Sequence, residues 1–256
     1  MKFGKRLQQQ IEETLPEWQD KFLSYKQLKK RLKLIAADNA DRQFQENEEG
    51  RGLTSQEVEF IRLLNLELEK FNAFFIDKEE EYVIRLQRIE RARVENAESS
   101  LSGGPYFDEE MLNIWKDLVT FHGEMVLLEN YSSLNYTGLV KILKKHDKTT
   151  GALLRLPFIR KVLHQPFYKT ELLSKLVREC ESNLQSIFPA AMLGETVIDA
   201  PQEDGNMEGI YRSTVAALHT IQELRKGSST YSPLSLPLFN REENLGVVVD
   251  ESTVSC

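Results

Sequence analysis

The chain has 256 residues, of which 41% are apolar and 29% are charged, and its formal net charge is −7. This composition is ordinary for a globular protein, and the sequence contains no run of eighteen apolar residues, which excludes a transmembrane helix of the usual kind. Two cysteines, Cys180 and Cys256, are too few for a disulfide framework, and the start MKFGKRLQQQ lacks an apolar signal region, so we expect a reducing compartment.

The first part of the chain is predicted to be helical, because apolar residues recur every three or four positions and strand patterns are scarce. Residues 3–14 form a first predicted helix. Pro16 opens a second predicted helix from Glu17 to Ile35. The polar, glycine-ended residues 36–52 are predicted to form a loop.

A third predicted helix covers residues 54–96, a length of about 65 Å at 1.5 Å per residue. Thr54 or Ser55 is its predicted cap, and Glu57 lies in its first turn. A helix of this length needs other helices packed along it, because helix propensity alone does not hold it. Its apolar stripe consists of Val58, Ile61, Leu64, Leu68, Phe71, Phe75, Tyr82, Leu86 and Ile89.

The rest of the chain is predicted to be helical up to its tail, so the predicted fold class is all-α. Residues 96–107 interrupt the pattern, and a fourth helix begins near Asp108. Residues 130–138 are expected to bend or break it before a further helix from Tyr136 to Asp147. The fourth helix has the apolar stripe Met111, Trp115, Leu118, His122 and Met125. Helical patterns at 168–187 and 207–226 flank an acidic loop at 194–206, and the Ser-, Thr- and Pro-rich residues 227–256 predict disorder.

Charge is distributed unevenly along the chain. Residues 1–37 contain nine Lys and Arg against four Asp and Glu, and residues 133–170 contain eight Lys and Arg against one acid, Asp147. The remainder is therefore strongly acidic. Although the net charge alone favours no anionic partner, this distribution predicts two basic patches on an acidic body.

The segment KILKKHDK places Lys141, Lys144, Lys145 and Lys148 on one helical face, at i, i+3, i+4 and i+7. Many lysine runs are only solvated faces, but such faces mix signs, and Asp147 lies off this stripe. Like-charge pairs four residues apart destabilise the free helix slightly. The arrangement therefore favours a face that an anion occupies.

Residues 21–33 repeat the signal, since they contain six Lys and Arg and no acid. Tyr25 and Lys29 are four residues apart, so a hydroxyl and an ammonium project from one face, although Tyr25 also fits the apolar stripe. No aromatic platform, zinc ligand set or helix-turn-helix signature accompanies these residues, which argues against nucleic acid. Because lysine binds phosphate as a point charge, the pattern favours a compact anion with many phosphates.

Three blocks in this order, MKFGK, LPEWQDKFLSYKQLKKRLK and NYTGLVKILKKHDKTTG, resemble the SPX domain, and the resemblance extends over residues 1–165. The resemblance implies a helical hairpin packed on a bundle of long helices that binds inositol polyphosphates and pyrophosphates. It implies a phosphate-binding cluster of Tyr25, Lys29 and Lys145, an adjacent lysine surface of Lys141, Lys144 and Lys148, and Lys2 reaching the ligand from the first helix. Lys26, Lys30 and Lys33 are secondary candidates.

No transporter region, RING cysteine-histidine set or polyphosphate polymerase domain follows, so the chain is similar to the stand-alone plant SPX proteins. That similarity implies a phosphate sensor in the nucleus and also the cytoplasm, with no enzymatic activity, cofactor or metal. With inositol hexakisphosphate or an inositol pyrophosphate bound, it would bind and inhibit a MYB-type phosphate-starvation transcription factor, without contacting nucleic acid or membrane itself. The expected divisions are an SPX domain at 1–165, helices with an acidic loop at 166–226 that could mediate self-association, and a disordered tail at 227–256.

Two rival readings are an enzyme and a phosphoinositide-binding helical adaptor at membrane surfaces. Against the enzyme, no nucleophile motif or metal-ligand spacing occurs, His122 is expected to be a hydrogen-bonded core residue, and adjacent helical residues such as His146 and Asp147 are expected not to face each other. Against the adaptor, the apolar residues Leu139, Ile142 and Leu143 lie opposite the lysines and are expected to be buried.

Overall fold

The structure is a computed structural model that describes residues 3–42, 54–99 and 109–187. Within these ranges the protein is all-α, as predicted, and contains no strand. The α-helices are α1 (Phe3–Glu12), α2 (Tyr25–Arg42), α3 (Ser55–Ser99), α4 (Glu109–Thr150), α5 (Arg155–Val162) and α6 (Glu171–Ile187). Two short 3₁₀ helices span Pro16–Lys21 and Pro166–Tyr168.

The predicted single helix from Glu17 to Ile35 is wrong, because the chain turns between two separate helices. Pro16 opens the first 3₁₀ helix, and Phe22 then adopts an extended conformation with φ −71° and ψ 166°. α2 begins only at Tyr25 and runs to Arg42, so the helix includes residues 36–42, which were predicted as loop.

The long helix α3 begins with the predicted capping box. The backbone N–H of Glu57 donates to Thr54 Oγ1 at 3.1 Å, and the N–H of Thr54 donates to Glu57 Oε2 at 2.9 Å. Val58, which was assigned to the apolar stripe, is 54% exposed, and Phe60 is buried in its place. Ile61 is half-buried, and the predicted stripe is confirmed from Leu64 to Ile89.

α4 runs antiparallel to α3 and is continuous over 42 residues, so the predicted break at 130–138 is wrong. The ring of Phe60 stacks on His146 at 5.1 Å, and Tyr82 meets Phe121 at 5.4 Å. Three of the polar residues that suggested a break, Asn130, Ser132 and Asn135, are buried. Among them, Asn135 binds another segment instead of ending its own helix.

The short helix α5 was not predicted, whereas α6 corresponds to the pattern at 168–187. α6 packs against both α3 and α4, since Asn183 Nδ2 donates to Glu90 Oε1 at 3.2 Å and Cys180 Sγ contacts Leu118 O at 3.5 Å. Cys180 is a buried free thiol, and burial raises its pKa to about 12. Residues of α6 therefore join the same core as the preceding helices.

Several sequence predictions fall outside the described residues. They are the acidic loop at 194–206, the helical pattern at 207–226, the tail at 227–256 and Cys256. The division at residue 165 stays a prediction. Of the helices that the structure describes, none combines the length and the apolar character needed to cross a bilayer.

Candidate ligand-binding site

Tyr25 is the first residue of α2 and is half-buried against the start of α1. The ring of Phe3 meets the Tyr25 ring edge-on, with 5.2 Å between centroids. A Cβ on Gly4 would lie 3.2 Å from Tyr25 Cε1, so the α1 backbone approaches the ring closely. Burial raises the pKa of the Tyr25 phenol, so its hydroxyl stays protonated and can donate a hydrogen bond at neutral pH.

The turn before Tyr25 is attached to the middle of α4. The N–H of Leu23 donates to Asn135 Oδ1 at 2.9 Å, and the rings of Phe22 and Tyr131 are 4.9 Å apart. A Cβ on Gly138 would lie only 2.5 Å from Leu23 Cδ2. The start of α2 therefore lies beside residues 131–138 of α4.

α2 runs antiparallel to α3 and consequently parallel to α4. At the start of α2, Ser24 N–H donates to Glu67 Oε2 at 3.1 Å. Further along, the pKa of Glu59 is lowered mainly by its hydrogen bond from Arg62 and also by the charge of Arg31 on α2. α2 thus runs along α3 from Glu67 towards Glu59. Near Glu59, Phe60 of α3 stacks on His146 of α4, so α2 runs towards the His146 end of α4.

The parallel direction brings Lys29 to the level of the first lysine of KILKKHDK. Lys29 follows Tyr25, the first residue of α2, by four residues, a rise of about 6 Å along the helix. The same rise from Asn135 and Gly138 on the parallel helix reaches residues 139 to 142, which include Lys141.

The lysines of α4 also have the orientation that the sequence predicts. Lys141 and Lys145 follow Gly138 by three and seven residues, so they continue the side of α4 that approaches the turn before α2. Lys145 is partly buried, and the other three lysines of KILKKHDK are exposed. Leu139, Ile142 and Leu143 are completely buried on the opposite side, as expected.

Tyr25 and Lys29 thus lie on the first half of α2, and Lys141 and Lys145 lie on the last third of α4, so the flank between these two packed helices is where the predicted residues can meet. Lys144 and Lys148 are exposed next to that flank, and the secondary candidates Lys26, Lys30 and Lys33 are exposed on α2. Lys2 lies outside the described residues, although Phe3, which follows it, contacts Tyr25. The role of each side chain in binding a ligand stays a prediction.

The electrostatics of this flank favour an anion. Over residues 3–42, 54–99 and 109–187, no ion pair involves Lys29 or any lysine of KILKKHDK. The nearby acid Asp147 is directed to α5, where its carboxylate accepts the N–H groups of Leu154 and Arg155. Positive charge on this flank is therefore not neutralised within the described chain.

Sequence reasoning missed two contacts of His146. Its ring is buried on Phe60, and its Nδ1 lies 3.3 Å from Asp147 Oδ1, so the expectation that these neighbours do not face each other is wrong. His122 is half-buried, with its Nε2 3.4 Å from Glu181 Oε1. The described residues contain no group of side chains suited to hold a metal ion.

Comparisons with known proteins agree with the family that the sequence resembles. The SPX domain family profile matches residues 1–52 and 95–162. The chain is 57% identical to SPX domain-containing protein 1 of Arabidopsis thaliana over 93% of its own length and 91% of that protein. It is 48% identical to SPX domain-containing protein 3 of Oryza sativa subsp. japonica, covering 93% of this chain and 87% of that one.

A solved structure has the same fold. It is the SPX domain of Chaetomium thermophilum glycerophosphodiester phosphodiesterase 1 in complex with inositol hexakisphosphate. The match has a TM-score of 0.59 and 24% sequence identity, and it covers 73% of this chain and 99% of that one.

Proposed function

The chain belongs to the SPX domain family, and from this membership we propose that it binds an inositol polyphosphate or pyrophosphate between α2 and α4. The observation that carries the proposal is that α2 and α4 pack against each other, and that within the described residues neither Lys29 of α2 nor any lysine of KILKKHDK on α4 forms an ion pair. The solved SPX domain named above, which holds inositol hexakisphosphate, supports this class of ligand.

The protein is a regulatory binding protein and not an enzyme; the SPX domain-containing relatives carry no enzymatic activity in their names. The ligand would act by neutralising lysines that repel one another in the free protein. Charge-assisted hydrogen bonds contribute about 1.5 to 3 kcal/mol each, so five or six allow micromolar or tighter binding after ordering costs. Bound ligand would also hold the start of α1 against Tyr25.

The finer proposal is a phosphate sensor that, once liganded, binds and inhibits a MYB-type phosphate-starvation transcription factor in the nucleus and also the cytoplasm. A basic segment of such a partner would contact both the bound polyphosphate and the acidic body of the chain. The test is a pull-down of the transcription factor with and without an inositol pyrophosphate. Capture that is equal in both cases would overturn the ligand-dependent step.

Ligand binding itself is tested by calorimetric titration of inositol hexakisphosphate into the purified full chain. Lys29→Ala and Lys145→Ala should each weaken binding by about tenfold or more, which corresponds to one charge-assisted hydrogen bond. Lys175→Ala, which removes an exposed lysine on α6, is the matched control and should bind normally. Normal affinity in all three variants would refute the site.

A membrane-surface adaptor uses the same lysine chemistry, and one observation favours it. Leu153, just beyond the lysine face, is 78% exposed. Against it, the apolar residues of the lysine helix itself are buried, so no continuous apolar stripe adjoins the lysines. Co-sedimentation with phosphoinositide vesicles in the presence of excess inositol hexakisphosphate separates headgroup binding from stable membrane docking.

A further inference from the structure

The chain turns at Phe22, Leu23 and Ser24, between the 3₁₀ helix and α2, and side chains of other helices bind three backbone groups of this turn. Lys70 Nζ donates to Phe22 O at 2.8 Å, and Leu23 N–H donates to Asn135 Oδ1 at 2.9 Å. Ser24 N–H donates to Glu67 Oε2 at 3.1 Å. Side chains of α3 and α4 thus hold consecutive backbone groups of one turn.

Two of these three side chains, Lys70 and Glu67, bind each other, and the third, Asn135, is buried. Lys70 Nζ and Glu67 Oε2 form an ion pair at 2.7 Å, with the Glu67 side chain only 13% exposed. Asn135 is completely buried. Removing charges from water costs free energy. Besides the bond that joins them, Lys70 and Glu67 each bond to a backbone group of the turn, Lys70 to Phe22 O and Glu67 to Ser24 N–H.

The turn determines which way α2 points its side chains. Tyr25 directly follows Ser24, and its own N–H donates to Leu23 O at 2.7 Å. A helix turns by about 100° per residue, so a start displaced by one residue would rotate Lys29 away from α4. The close packing of Leu23 on Gly138 also fixes the position of this turn, because there is no room there for a side chain on residue 138.

We propose that Glu67, Lys70 and Asn135 form a turn clamp, a set of positioning residues that place Tyr25 and Lys29 opposite Lys141 and Lys145 without contacting the ligand. This inference rests on the proposed function, because it assigns these residues a role in the same site. It adds two residues of α3, a helix with no predicted ligand contact, to the binding machinery.

The test is calorimetric binding of inositol hexakisphosphate to the full chain carrying Glu67→Leu or Glu67→Gln. Glu67→Leu leaves Ser24 N–H without its partner and should weaken binding about tenfold. Glu67→Gln keeps an acceptor for Ser24 N–H, and the conservative change should restore most of the affinity. Circular dichroism melting confirms that each variant is folded at the temperature of the titration.

A thermodynamic cycle separates positioning from general loss of stability. If the clamp acts through Lys29, Glu67→Leu should cost only about threefold in a Lys29→Ala background but keep its full effect in a Lys148→Ala background. Equal losses in both backgrounds, or wild-type affinity in Glu67→Leu, would overturn the clamp. Should Glu67→Leu fail to fold, Lys70→Met, which leaves Glu67 on Ser24, takes its place in the same cycle. Failure of the wild-type chain to bind would instead refute the proposed function.

Discussion

The carboxylate of Asp147 accepts the backbone N–H of Arg155 at 3.2 Å, so the single acid of the lysine segment caps the helix that follows. The same carboxylate accepts the N–H of Leu154 at 3.1 Å, and Gly151, with φ 74°, provides the left-handed residue that ends α4. The acid that the sequence places off the lysine stripe thus has a structural task, and within the described residues it forms no ion pair with the lysines of KILKKHDK.

Asp147→Ala should lower the free energy of unfolding by about 1 kcal/mol, because it removes the cap of α5. It should not weaken binding of inositol hexakisphosphate, since a negative charge near the lysines is removed with it. Urea unfolding and calorimetry measure the two effects. Asp147→Asn, which keeps one acceptor, is the control and should lose less stability; a variant that loses affinity as well as stability would contradict the separation.

Gly138→Ala should destabilise the protein although alanine favours helix. The added Cβ would meet Leu23 Cδ2 at 2.5 Å in a buried contact, and overpacking of this kind costs about 1 to 3 kcal/mol, which exceeds the helix-propensity gain of about 1 kcal/mol. Ligand affinity should fall as well, because Leu23 belongs to the turn that positions Tyr25. Thermal melting and calorimetry test both effects.

The companion variant for this prediction is Gly138→Ala combined with Leu23→Val. The shorter side chain makes room for the new Cβ, so the double variant should recover part of the lost affinity. A Gly138→Ala protein more stable than wild type would show that the turn at residues 22–24 and α4 are not in this close contact.

Lys144→Gln should stabilise the free protein while it weakens ligand binding. It removes a like-charge pair with Lys148, four residues away, and such a pair lowers the stability of a helix by about 0.2 to 0.5 kcal/mol. Urea unfolding with and without inositol hexakisphosphate should show opposite shifts. For wild type, ligand at 100 times its dissociation constant should add about 2.7 kcal/mol.

Lys175→Gln on α6 is the matched control, because this lysine has acidic neighbours and its removal should change the stability of the free protein in the opposite direction. Lys175 lies four residues from Glu171 on one side and from Glu179 on the other, so its removal should lower stability slightly. If both lysine variants shift stability in the same direction, the repulsion within the lysine face is not the cause.

Glu79→Gln should stabilise the protein at pH 8 and have little effect at pH 4. Burial is the main cause that raises the pKa of Glu79 to about 7, and the negative charge of Glu171 adds to it. A hydrogen bond from the backbone N–H of Leu173 opposes the shift. The folded chain therefore binds this proton more tightly than the unfolded chain, so the ionised carboxyl lowers stability as pH rises from about 4.5 through 7. After allowance for solvent screening at a half-buried site, the gain at pH 8 is about 1 kcal/mol.

The measurement is urea unfolding of wild type and Glu79→Gln at both pH values. Glu80→Gln, one residue further along α3 and exposed, provides the comparison and should give no pH-dependent gain. An equal change at pH 4 and pH 8 in Glu79→Gln would show that the carboxyl is not titrating between them.

Local patterns in the sequence were sufficient wherever one helix decides its own structure. The all-α class, the capping box at Thr54 and Glu57, and the burial of Leu139, Ile142 and Leu143 all follow from periodicity and capping, because these depend on residues within a few positions of one another. Local patterns failed where a distant segment supplies the partner. Residues 130–138 look like a break because they are polar, yet Asn135 binds Leu23, 112 residues earlier in the chain.

What the sequence by itself determined is that lysines lie on one face of each of two helices. Only the tertiary structure decided that those two helices pack against each other. The turn at residues 22–24 replaces the continuous helix predicted there, and contacts from α3 and α4 set where α2 starts and that it runs parallel to α4. A helix fixes the spacing of its own side chains, but its rotation and level relative to a second helix depend on packing and hydrogen bonds between segments far apart in sequence, which no local pattern encodes.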